Sequence, residues 1–307
     1  MQRRHKRKKV EYGRWLVLLL ASLLIGLLIW QGPPLVRLLL NNPQEKVDLV
    51  TLMNAGDYLR VLALSEMRLR DNPLDSEALA FAGFASYYLG IYSAIPDEKT
   101  NYLNQAVYYL RTSLNVNDDS TYSTEVLYVL GKTYHLLGDS YANLVVSSLL
   151  QALSRGYRGL EINEYLGMAY IRLGEYNKGI DYFLAAMAGE RTSNFYYTLA
   201  QAYGLVSEWL KAEEYYLMVL EQGTDDNLKD KARFELAELY YESGRLAEAR
   251  ELFLTMLQKY PNNGYAHFIL GKVYYAENNF SQATVQWHRA LRLNPQNSEA
   301  FALVYGS

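Results

Sequence analysis

Histidines are the first side chains to weigh for chemistry, and His5, His135, His267 and His288 stand too far apart in sequence for a metal-ligand spacing. The chain has no HExxH zinc motif, no Asp-rich calcium loop, no phosphate-cradling GxxxxGKS/T or GxGxxG, and no GxSxG nucleophile turn. It has no cysteine, which removes thiol catalysis, thiolate metal sites, disulfides and lipidation through cysteine. A cysteine-free chain suits an oxidising compartment or a bacterial envelope. The paired carboxylates Glu213-Glu214 and Asp225-Asp226 fall on helix faces or turns, where solvated charge is the ordinary role. No catalytic, cofactor-binding or metal-ligating residue is therefore assigned, and the chain is read as a non-enzyme; an enzyme would need a buried cluster of convergent polar groups. Tyrosine is what the sequence has in quantity, 29 of 307 residues, and rings with a polar tip suit binding surfaces.

The elements that must position these rings repeat. Leu270-Gly271 is followed by Tyr274, Ala283, Trp287, Ala290 and Pro295, and 34 residues earlier Leu236-Ala237 is followed by Tyr240, Ala249, Phe253, Met256 and Pro261 at the same offsets. Small residues at such positions let two helices approach closely, large ones fill the space between, and the prolines stop the second helix. A fixed period of this length means a solenoid in which no single copy buries its own apolar face. Earlier copies are marked by Leu199-Ala200 with Tyr203, Leu166-Gly167 with Tyr170, Leu130-Gly131 with Tyr134, and Ala82-Gly83. The copy at 76–123 has its second helix, around Ala106 and Leu110, arriving eleven residues late, with the extra residues near Gly90 to Thr100. That insertion either lengthens a helix pair, projects a contact loop, or is a tolerated surface loop. The first copy is degenerate, keeping Gly56-Asp57-Tyr58 as its turn and Pro73 as its stop.

These residues resemble the tetratricopeptide repeat (TPR) family. The expected fold is all-α: a TPR-like solenoid of about seven helix–turn–helix repeats, near 42–75, 76–123, 124–159, 160–192, 193–229, 230–263 and 264–297, following one N-terminal transmembrane helix, with a capping helix in 298–307. The resemblance implies a right-handed superhelix whose concave groove is built by the first helix of each hairpin, and a scaffold or peptide receptor rather than an enzyme. Mapped onto this sequence, the groove receives Phe84, Tyr87, Tyr128, Lys132 and His135 from the earlier repeats. The middle repeats contribute Glu164, Met168, Tyr197 and Gln201. The last two contribute Phe234, Glu238, Tyr241, Phe268, Lys272 and Tyr275. Nine of these fifteen are Phe, Tyr or Met, which suits an apolar or extended protein segment; the plainer reading is that several tyrosines only cover neighbouring hairpins. The Lys and Asn clamp with which chaperone-tail receptors of the family grip a terminal carboxylate is replaced here mostly by Phe, Tyr and Glu.

Charge is distributed unevenly. Residues 1–14 carry seven Lys or Arg against Glu11, a net +6, so the rest of a chain of net charge −3 carries −9. An acidic body without a basic stripe makes a poor nucleic-acid binder. Trp15 to Trp30 contains no charge and as a helix spans about 24 Å, close to the ~30 Å of a bilayer core. Residues 15–31 are read as an uncleaved membrane anchor after a basic tail at 1–14, with a linker at 32–41. A cleaved signal peptide and a buried core helix are the competing readings, and Trp30-Gln31 is a poor cleavage neighbourhood. The positive-inside rule puts the tail in the cytoplasm and the array outside the cytoplasmic membrane of a bacterium, periplasmic or extracytoplasmic. The expected role is a membrane-anchored scaffold binding protein or peptide partners in assembly of an envelope complex for secretion, the cell envelope or a flagellar motor. The alternative is a cytosol-facing receptor or regulator at a membrane. The anchor lacks GxxxG, and oligomeric state is left open.

Overall fold

The computed structural model describes residues 48–306 apart from 160 and 188–190. The expected basic tail 1–14, anchor 15–31, linker 32–41 and the opening of the first repeat lie outside the described residues. The chain divides into two units, Met1–Asp57 and Tyr58–Ser307. In the first, α1 (Leu49–Asn54) starts at Asp48, whose side chain accepts from the Val50 N–H, and ends at Gly56 with φ of 74°.

The second unit opens with α2 (Tyr58–Asp71) and continues as six hairpins. These pair α3 (Ser76–Tyr92) with α4 (Pro96–Val116), α5 (Ser123–Leu137) with α6 (Ala142–Ser154), and α7 (Glu161–Arg172) with α8 (Tyr176–Ala185). They continue with α9 (Ser193–Leu205) and α10 (Trp209–Gln222), α11 (Asp226–Glu242) and α12 (Leu246–Lys259), then α13 (Gly264–Ala276) and α14 (Phe280–Leu293). The last helix is α15 (Ser298–Tyr305). Among the described residues there are fifteen α-helices and no strand, and none of the helices is long and apolar enough to cross a membrane. The residues beyond Gly90 lengthen a helix pair: α4 runs 21 residues and only Ser93 to Ile95 separate it from α3.

Local chemistry explains the punctuation. Pro73, Pro261 and Pro295 cannot extend a helix, and two residues after each comes Asp75, Asn263 or Asn297, whose side chain accepts the N–H of Ala78, Ala266 or Ala300 at 2.9–3.0 Å. In the last four hairpins the chain turns between the two helices through one left-handed residue: Gly174, Ser207, Gly244 or Asn278. The next N–H then reaches back to the carbonyl of Tyr170, Tyr203, Tyr240 or Tyr274 at 2.7–3.0 Å, the six-to-one bond of a Schellman cap. Two of these turns use glycine, which takes φ of 77° and 80° without a Cβ clash, whereas Ser207 and Asn278 take 60° with one.

Packing fixes the period. A Cβ on Gly271 would lie 2.3 Å from Trp287 Nε1, and one on Gly167 2.7 Å from the Phe183 ring, so the first helix presses its backbone onto the largest side chain of the second. Ala249 and Ala283 are fully buried. First helices touch one another in succession from α3 to α11, while each second helix lies against its own partner and the first helix that follows. One apolar cluster runs from Ile180 to Ala300 through four hairpins, so burial is shared between copies.

Overpacking by Ala249→Leu is expected to lower stability by about 1–3 kcal/mol. Relieving the left-handed serine by Ser207→Gly is expected to raise it by about 0.5–1 kcal/mol. Urea melts followed by far-ultraviolet circular dichroism read both.

Candidate binding face of the first helices

The candidate residues recur at spacings of three and four along α3, α5, α7, α9, α11 and α13, which puts them on one stripe of each first helix. They differ in access. Phe84, Tyr87 and Phe268 are buried in the array; Tyr275 is half exposed at 53%; the other eleven are partly buried. Two polar and aromatic clusters form on this face.

The first centres on Lys132. Its ammonium lies 5.1 Å from the Tyr128 ring, 5.3 Å from Tyr165 and 5.7 Å from Tyr87, and 3.4 Å from a Glu161 oxygen. Three ring faces and a carboxylate thus hold one cation between three hairpins. Tyr128 stacks on Tyr157 at 4.1 Å and donates its hydroxyl to Glu161 at 2.8 Å, which holds the Glu161 carboxyl below its usual range. Burial pushes the Tyr165 phenol up to about 12 and raises Tyr87 and Tyr128 as well, so these hydroxyls stay protonated as donors. His135 packs edge-on to Tyr165 at 5.1 Å, and Arg172 reaches both its ring and its carbonyl while pairing with Asp139 at 3.0 Å. Glu164, with Met168 one turn on, is pushed up by burial.

The second cluster centres on Glu235. Its carboxylate accepts from the hydroxyls of Tyr197 and Tyr216, the latter at 2.7 Å, and from the Gln201 amide at 3.0 Å. Phe234 stands against Phe253 and Tyr265, and Tyr265 donates to Glu238 at 2.8 Å. Burial, reinforced by Glu235 and Glu242, raises the Glu238 carboxyl above its ordinary value. Lys272 pairs with Glu299 at 3.1 Å and lies over Phe268 at 5.2 Å and Tyr241 at 6.0 Å. Between α9 and α11 a cleft of about 420 Å³ opens, with Trp209 and Tyr216 among its walls and Gln201, Glu235, Glu238 and Glu242 around it. Gly204 lines it, and a Cβ added there would meet nothing within 4 Å.

Tyr157, Glu161, Tyr165, Tyr216, Glu235 and Tyr265 belong to these clusters although the family mapping omits them. A signal for them exists in the sequence: partners such as Lys132 and Glu161, Gln201 and Glu235, or Glu238 and Tyr265 are 27–34 residues apart, about one repeat. Among the described residues no group of three or more His, Cys, Asp or Glu is placed to hold a metal ion. This face presents ordered carboxylates, phenol donors and ring faces.

Burial, and then the charge of Arg172, pushes the His135 imidazole down to about 4, against its ordinary 6.5. The unfolded chain then takes up a proton near pH 6.5 that the folded chain refuses, so the contribution of neutral His135 is complete above that pH and is lost as pH falls toward 4. Thermal melts across this window should show declining stability, and His135→Gln should flatten the decline.

Tetratricopeptide repeat family models match residues 197–264 and 244–304. The crystal structure of the C-terminal part of a TPR repeat-containing protein from Cytophaga hutchinsonii is similar, with a TM-score of 0.59 at 16% identity over 83% of this chain and 98% of that one. The MamA protein gives a TM-score of 0.49 at 17% identity over 59% of this chain and 96% of that one. A tetratricopeptide repeat protein from Parabacteroides merdae gives 0.47 at 16% identity over 71% and 97%. No curated protein sequence matches the chain. With helix–turn–helix hairpins whose last two copies repeat after 34 residues, small residues packed on large ones, and family models over residues 197–304, the repeats in that stretch belong to the tetratricopeptide repeat family.

Proposed function

We propose that this chain is a scaffold that holds an extended protein or peptide partner on the face of its first helices, while residues 15–31 anchor it in a membrane. The observation that carries the reading is the cleft between α9 and α11, about 420 Å³, walled by aromatic rings and rimmed by carboxylates already oriented by tyrosine and glutamine donors. Groups fixed before the partner arrives lower the ordering cost of binding. Lys132 and Lys272 are both paired with glutamates, which leaves the face short of free donors for a terminal carboxylate. The partner is therefore an internal segment, seated by apolar side chains and main-chain contacts. The basic tail before residue 15 favours a cytoplasmic N-terminus and an array outside the cytoplasmic membrane, with a role in assembling an envelope complex.

Two experiments test this. Gly204→Phe fills the cleft where the backbone leaves open space, so it should keep the melting temperature yet lower recovery of crosslinked partners several-fold; undiminished recovery by the folded variant contradicts the groove reading. Protease added to intact spheroplasts should remove the array, and full protection before lysis would instead establish the cytosol-facing receptor.

A further inference from the structure

A second cleft, of about 660 Å³, lies on the side formed by second helices, between α12 and α14, with His267 and Leu270 of α13 also lining it. One wall is apolar, with Leu254 and Leu257 from α12 and Leu293 from α14; Leu254 and Leu293 are 40% and 42% exposed. The other carries Arg289 and Arg292, one turn apart on α14 and exposed. Neither arginine has a hydrogen-bond or ion-pair partner among the described residues, and no residue lining the cleft is acidic. That contrasts with Arg68, Arg155, Arg172, Arg233, Arg245 and Arg250, each paired with a carboxylate. The cleft's shape is held from beneath. His267, 5% exposed, donates from Nε2 to the Pro261 carbonyl at 3.1 Å, and its Nδ1 lies 2.7 Å from the buried Gln286 side chain. This ties the loop after α12 to α14. Arg292 also lines a neighbouring cleft with Ser281, Thr284 and His288, again without an acid.

We propose that this cleft is a binding site separate from the first-helix face, for a peptide segment that presents a carboxylate beside a leucine- or phenylalanine-like side chain. A guanidinium is a planar fork that matches a carboxylate, and two unpaired forks over an apolar wall select for both properties at once. The volume lies in the range of sites that hold a few side chains. The chain outside its first fourteen residues carries net −9, and a cationic cleft on an acidic body attracts an anion only at short range, since ionic screening acts over about 8 Å. Two arginines are too few for a lipid surface, whose recognition takes clusters of about four to eight basic residues. A peptide carboxylate is therefore the ligand, supplied by an Asp or Glu side chain or by a chain terminus.

The test uses the full-length protein in detergent and an array of twelve-residue peptides in which Leu and Phe alternate with Glu or with Gln, each made with a free and an amidated C-terminus. Glu peptides should bind at least tenfold more tightly than their Gln counterparts, and R289Q/R292Q should reduce that binding at least tenfold with an unchanged melting temperature. R289K/R292K, which keeps charge but loses the fork, should fall between. Retention of amidated Glu peptides assigns the side-chain carboxylate; binding confined to peptides with a free end assigns the terminus. Equal binding of Glu and Gln peptides, or unchanged binding by R289Q/R292Q, overturns the proposal. So does Arg-dependent sedimentation with phosphatidylglycerol vesicles in the absence of peptide binding. Loss of Glu-peptide binding in Gly204→Phe instead would move the ligand to the first-helix face and leave the proposed function standing.

Discussion

The rest of the array depends on the close approach of the two helices in each hairpin. Where Gly271 meets Trp287, or Gly167 meets Phe183, there is no room for a single added carbon. Such contact sets how near the helices lie and where along each other they register. It buries part of the second helix inside the hairpin and leaves the rest, with part of the first helix, to be covered by the neighbouring copies. Burial is then completed only by stacking, and the first helices from α3 to α11 are brought side by side in succession.

Because that face is assembled from different copies, its polar chemistry runs between them. Glu161 is held from a neighbouring hairpin by Tyr128 and Lys132, and Glu235 by Tyr197 and Gln201. These bonds span roughly one period and fasten adjacent hairpins while they orient the groups a partner would meet. Phenols serve well here: burial keeps them protonated, so they remain donors to the carboxylates beside them. The array thus carries a face that is both ordered by its own contacts and open at the α9–α11 cleft.

The helical hairpins were legible in the sequence because their spacing follows from sterics. A proline stop followed by an Asx cap, a left-handed turn residue and a small residue against a large one are local rules, and each leaves a mark at a fixed offset. The helix pair lengthened after Gly90 is open to three readings in the sequence, since an insertion says nothing of whether it continues a helix; Pro96 at the start of α4, with Asp97 and Glu98 behind it, is the local cue for a helix start. The candidate face was less legible. Phe84 and Phe268 stand on the expected stripe, yet their rings are covered, because the depth of a side chain depends on the neighbouring hairpin. Glu235 and Tyr265 escaped a mapping made one repeat at a time, since their roles exist only between repeats.

A photo-reactive amino acid placed at two positions tests the central claim most directly. Glu242 is exposed and lines the α9–α11 cleft, whereas Leu217 is 46% exposed on the second helix α10. If the first-helix face holds the partner, irradiation in cells yields a discrete crosslinked product from position 242 and none from 217. A product from 217 alone, or equal products from both, would contradict the account.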